Sequence, residues 1–178
     1  MDLTSYSFLC KNRENRREEF TIEVILTLEN RNGMLFNHRR LSRDKKVCEK
    51  ILNYSKKKEL WMNEYSKKLF ANLTDAEVIR VDEAFLDKAQ SVCFVENQDI
   101  MPYLPKIDTF ILFRWNRYYP ADFFFTVDLS QWNLISTEDF EGTSHEKITM
   151  EDIMRKNHEK AIKMAYSFYL PDVFNDRL

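Results

Sequence analysis

The 178-residue chain carries 27 basic and 29 acidic residues, for a formal net charge of −2, and 44% of it is hydrophobic. Such a chain is too apolar to be disordered and too balanced to be a globally basic nucleic-acid coat, although local patches stay open. Its two glycines and four prolines exclude glycine-rich phosphate loops and the GxGxxG cofactor fingerprint.

Residues 1–19 mix Lys11, Arg13, Glu14, Arg16 and Arg17 with few apolar positions and read as a polar leader, partly ordered, before one α+β domain over 20–178. No signal-peptide core precedes it, and the longest apolar run, Phe110 to Phe113, falls far short of the ~20 residues a membrane helix needs. Cys10, Cys48 and Cys93 are odd in number and form no CxxC, which fits a reducing compartment. The expectation is a cytoplasmic protein that does not enter a membrane.

Ile22, Val24, Leu26 and Leu28 alternate on one strand face, and Asn32-Gly33 signals a hairpin. A three-residue loop would set Leu28 opposite Phe36 and Leu26 opposite His38, keeping the apolar face intact. From Ser42, apolar residues recur at three- and four-residue steps (Val47, Ile51, Tyr54, Trp61, Tyr65, Leu69). That spacing predicts a long helix near 43–70, or two helices broken near Lys56 to Lys58, starting at Ser42 or at its neighbours Arg43-Asp44, with Ser42 favoured as its cap. Strands are predicted near 78–81, 107–116, 123–129 and 132–137, with 123–129 returning antiparallel after a short link. Phe85 to Gln90 reads as a helical turn. Thr149 and Asp152 would cap a last helix near 149–169, striped by Met150, Ile153, Ala161 and Phe168. The order implies α+β architecture with a mainly antiparallel sheet.

Three stretches carry unusual chemistry. From His38 to Lys58, nine Lys or Arg face Asp44 and Glu49, and Arg39, Arg40 and Arg43 at a strand end could converge on a phosphate. The same run also suits a solvated helix face. Arg114, Asn116, Arg117 and Tyr118 end a buried strand, where side chains are held rigidly, although an Arg–Asp pair would equally tie the turn. Gly142 to Lys147 offers Ser144, His145 and Lys147. His145 suits general acid–base work, while no Gly-x-Ser-x-Gly elbow supports Ser144 as a nucleophile, and helix capping explains the loop equally well. His38, His145 and His158 form no metal motif, so neither metal nor cofactor is expected.

Taken together, these patterns point to an RNA- or nucleotide-facing phosphate site. In its sharper form this is a small metal-independent endoribonuclease of toxin or defence type. His145, Lys147, Arg114 and Arg117 would be catalytic, and Arg39, Arg40, Arg43, Asn116, Tyr118 and Ser144 would bind substrate. The alternative is a non-enzymatic protein-binding module of immunity, anti-defence or regulatory type, docking through the basic 38–58 or acidic 138–152 region. Oligomeric state is not readable from the chain.

Overall fold

Ile22, Val24, Leu26 and Leu28 alternate along strand β1 (Ile22–Leu28), but Ile25 on its other face is completely buried too. A strand covered on both faces belongs inside a parallel sheet. In the computed structural model, which describes residues 20–73 and 76–156, β1 lies between two parallel neighbours, β6 (Val92–Phe94) and β7 (Ile107–Arg114). With β4 (Leu60–Met62), β5 (Ile79–Val81), β9 (Trp132–Phe140) and β10 (Ile148–Arg155) they form a seven-stranded sheet ordered β5-β4-β6-β1-β7-β10-β9. Strands β5, β4, β6, β1 and β7 are mutually parallel, and β10 and β9 close the far side antiparallel. The mainly antiparallel sheet expected from the sequence is therefore incorrect.

The hairpin fails for the same reason. The chain does reverse, with Glu29 N–H donating to the Gly33 carbonyl at 3.0 Å. But β1 already spends both edges on β6 and β7, so Leu28 and Leu26 register with Arg114 and Leu112 instead of Phe36 and His38. Strand β2 (Gly33–Phe36) joins β3 (Arg39–Arg40) and β8 (Phe123–Phe124) in a separate three-stranded sheet. That pairing also takes 123–124 away from β7, which the sequence had assigned as its partner.

The long helix divides. Helix α1 (Lys45–Tyr54) buries Val47, Cys48, Ile51 and Leu52 and is capped by Asp44, not Ser42. After the Lys56 to Lys58 turn, Leu60 to Met62 become strand β4 before the short α2 (Glu64–Lys67), because a parallel partner is available on each side. The start of the helix predicted near 149–169 is also corrected, its part from 157 onward lying outside the described residues. Residues 148–155 form β10, where Ile153 opposite Phe110 and Met150 opposite Phe113 gain more from the ladder than from a helical stripe. Phe85–Lys88 forms the expected helical turn, α3. The leader at 1–19 and the positions from 157 onward, His158 among them, lie outside the described residues.

Two apolar layers sandwich the sheet. Ile22, Val24, Leu26, Phe110 and Leu112 pack on one side with Phe125 and Trp132. Ile25, Ile111 and Phe113 pack on the other against Val47 and Ile51 of α1. Each such side chain stabilises by roughly 1.5–3 kcal/mol on full burial. The carboxyl ends of β6, β1 and β7 open side by side, and the β9–β10 connection (141–147) returns to that same end. No described helix is long and apolar enough to cross a membrane.

Candidate functional site

Beyond β1, β6 and β7 the chain sets Glu29, Glu96 and Trp115, all buried. In open sheets of this kind the crevice outside the carboxyl ends is where ligands bind. Here two carboxylates shape it. Asp44, at the start of α1, accepts the Lys46 N–H at 2.9 Å, the Thr143 N–H at 3.0 Å and the Ser144 N–H at 2.7 Å, with the Ser144 hydroxyl at 3.0 Å. Burial opposes its charge, yet these donors hold it down to about 2. Gly142 makes the approach possible, since a Cβ there would stand 2.5 Å from Asp44 Oδ2 and 2.8 Å from Ile148 Cδ1.

His145 completes the clamp. Its ring stacks on Trp115 at 4.7 Å between centroids, and Nδ1 lies 3.3 Å from Asp44 Oδ2. An ionised carboxylate can only accept, so Nδ1 donates to Asp44. Two hydroxyls face Nε2: Ser42 Oγ at 3.1 Å and Tyr119 Oη at 3.2 Å.

Deeper in, a closed pocket of about 10 Å³ is lined by Thr27, Ser42, Cys48, Phe94, Glu96 and Trp115 among others. Glu96 Oε2 sits 3.2 Å from Arg40 Nη2, close enough for an ion pair but not aligned for a hydrogen bond, so that buried oxygen has no hydrogen-bond donor. Burial pushes Glu96 up to about 7, with Arg40 opposing, and pushes the Cys48 thiol up to about 12. Outside it, a cavity of about 460 Å³ shares Arg43, Asp44, Cys48 and Leu69 with the inner pocket and reaches Thr143 and Ser144.

Of the residues chosen from sequence, His145, Ser144 and Arg43 meet at this crevice. Arg40 reaches it through Glu96 while its guanidinium lies over Tyr65. The others go elsewhere. Arg114 is held by Glu151 at 2.9 Å and by Asn32 at 2.7 Å. Lys147 pairs with Asp139 at 2.7 Å, and Asn116 donates to Thr149 at 2.9 Å, both in the open. Tyr118 and Arg117 are exposed, and Arg39 lines a separate cavity with Phe36 and Tyr119. Sequence reasoning passed over Asp44, Glu96, Ser42 and Tyr119. Asp44 alone carried a signal, as one of two acids in a basic run.

The fold defines a class first: a mixed sheet, parallel over β5 to β7, with ligand space at its carboxyl edge. A dihydrofolate reductase from Enterococcus faecalis, solved in complex with NADP(H) and RAB-propyl, is similar in fold with a TM-score of 0.53 and 12% identity over 78% of this chain and 98% of that one. No family model and no curated protein matches the chain. The likeness concerns architecture, and it overturns the RNA-facing, endoribonuclease and toxin or defence readings. The physical reason lies in the arginines and Lys147, which do not form one basic hollow around His145.

Proposed function

We propose that the chain is a small-molecule-binding protein of dihydrofolate reductase architecture whose crevice takes a planar heterocycle with adjacent N–H donors, the pteridine class being the first to test. Glu96 carries this reading. It is a buried carboxyl between Phe94 and Trp115 with one oxygen lacking a hydrogen-bond donor, which is what a ring amidine or lactam would supply. The outer cavity of about 460 Å³ falls within the usual range for small-molecule sites. Entry of a ring needs Leu69 and Arg43, which line both spaces, to move apart.

The dinucleotide bound by the similar reductase does not fit this chain's residues. A pyrophosphate needs free N–H groups and close backbone approach where the chain leaves a strand. After β3, β4, β5 and β6 the N–H groups of Lys46, Ser66, Ala84 and Met101 already bond to Asp44, Asn63, Asp82 and Asp99, at 2.9, 3.1, 2.8 and 3.0 Å. Three of those four caps are carboxylates that would repel a phosphate. Gly33, in the turn after β1, already gives its N–H to Glu29 at 2.9 Å, and Gly142 packs against Asp44, so both glycines meet a buried carboxylate.

Titration of intrinsic tryptophan fluorescence and of thermal midpoint with dihydrofolate, and separately with NADPH, tests the reading. Dihydrofolate raises the midpoint and quenches the emission, Glu96→Ala abolishes both, and NADPH does neither. No response to dihydrofolate overturns the pteridine assignment, and a shift with NADPH overturns the exclusion of the dinucleotide.

A further inference from the structure

We infer that Ser42, His145 and Asp44 form a nucleophile, base and orienting carboxylate able to cleave a small carboxylic ester. The inference rests on the reading above that the crevice admits a small molecule. Ser42 Oγ stands 3.1 Å from His145 Nε2, and His145 Nδ1 stands 3.3 Å from Asp44 Oδ2, which is the connectivity by which a serine hydroxyl is activated on unrelated folds. Three features separate it from an incidental cluster. Asp44 is fixed by backbone N–H groups of Lys46, Thr143 and Ser144, so it cannot rotate away from the ring. Trp115 stacks on the imidazole and sets its plane. Ser42 is half-buried and shares the small pocket of about 10 Å³ with Glu96, next to the larger cavity that Arg43 and Asp44 border.

Ser144, the hydroxyl singled out in the sequence, lies 3.0 Å from Nδ1, on the carboxylate side of the ring. It orients the base and cannot be activated by Nε2. Tyr119 Oη, 3.2 Å from Nε2, is the second hydroxyl on that side of the ring.

The step balances without another reagent. Ser42 Oγ bonds to the ester carbonyl carbon while its proton passes to Nε2. The tetrahedral oxyanion then collapses, the carbon–oxygen bond to the alcohol breaks, and the leaving oxygen takes the proton from Nε2. Water attacks the acyl-Ser42 carbonyl in the same way, its proton passing through Nε2 to Ser42, and the free acid departs.

The test uses the full chain with p-nitrophenyl acetate and with a fluorophosphonate probe followed by peptide mass spectrometry. The expected result is an adduct on the peptide holding Ser42, and a loss of p-nitrophenolate release of about 100-fold or more in Ser42→Ala. Lys147→Ala should keep wild-type turnover. Labelling of the wild-type chain needs no variant to fold, so the assignment stays testable if Ser42→Ala does not. An adduct at another residue, or equal turnover in a folded Ser42→Ala, overturns the inference. Absence of any adduct while dihydrofolate still quenches fluorescence overturns it and leaves the binding reading standing. An adduct on Ser42 without a response to dihydrofolate supports it and removes the pteridine assignment instead.

Discussion

Asp44 and Glu96 are both buried carboxyls at the carboxyl edge of one sheet, yet they titrate on opposite sides of the ordinary carboxylate range, at about 2 and about 7. Burial penalises charge in each. The difference is the donor set. Asp44 collects N–H groups from Lys46, Thr143 and Ser144, whereas Glu96 has only the Arg40 ion pair and the Ser66 hydroxyl to oppose its burial. A saturated carboxylate is an anchor for structure, and an unsaturated one is available to a ligand.

The comparison breaks most severely at the anchor. Asp44→Ala leaves three backbone donors and the imidazole without their acceptor and should cost about 3 kcal/mol or more, read as the urea midpoint at pH 7. Acid titration sharpens the contrast in sign. Asp44 is depressed when folded, so its contribution is present above pH ~4 and is lost, by about 2 kcal/mol, as pH falls towards about 2. Glu96 is raised when folded, so the native state holds a proton that the unfolded chain releases, and stability declines as pH climbs from ~4.5 to about 7. Glu96→Gln should abolish that decline, seen as a flat thermal midpoint across the interval. Gly142→Ala drives a methyl towards Asp44 and should cost about 1–3 kcal/mol, measured by the same urea midpoint. Lys147→Ala removes an exposed pair with Asp139 and should leave the midpoint unchanged.

Part of the site was legible in the residues. Gly142-Thr143-Ser144-His145 does approach the crevice, because a glycine followed by short polar side chains suits a loop that must pack closely against a carboxylate. The arginines misled, since charge density does not reveal where each guanidinium finds its acid. Arg114 finds Glu151, which is 37 residues away, and Arg40 finds Glu96. Glu96 itself carried no local signal. Its singularity lies in being buried after Phe94, which follows from β6 being covered on both faces.

By itself the chain determined strands near 22–28, 107–116 and 132–137, the amphipathic start of α1, and the reversal at Asn32-Gly33, all of which depend on neighbours a few residues apart. Strand direction, the strand β10 at 148–155 where a helix start was expected, and the meeting of Ser42, Asp44, Glu96 and His145 were decided in three dimensions. Parallel pairing leaves no short-range trace, because its partners are joined by long crossovers. A hydrogen-bond donor set gathered from separate loops exists only once the sheet that positions them has formed.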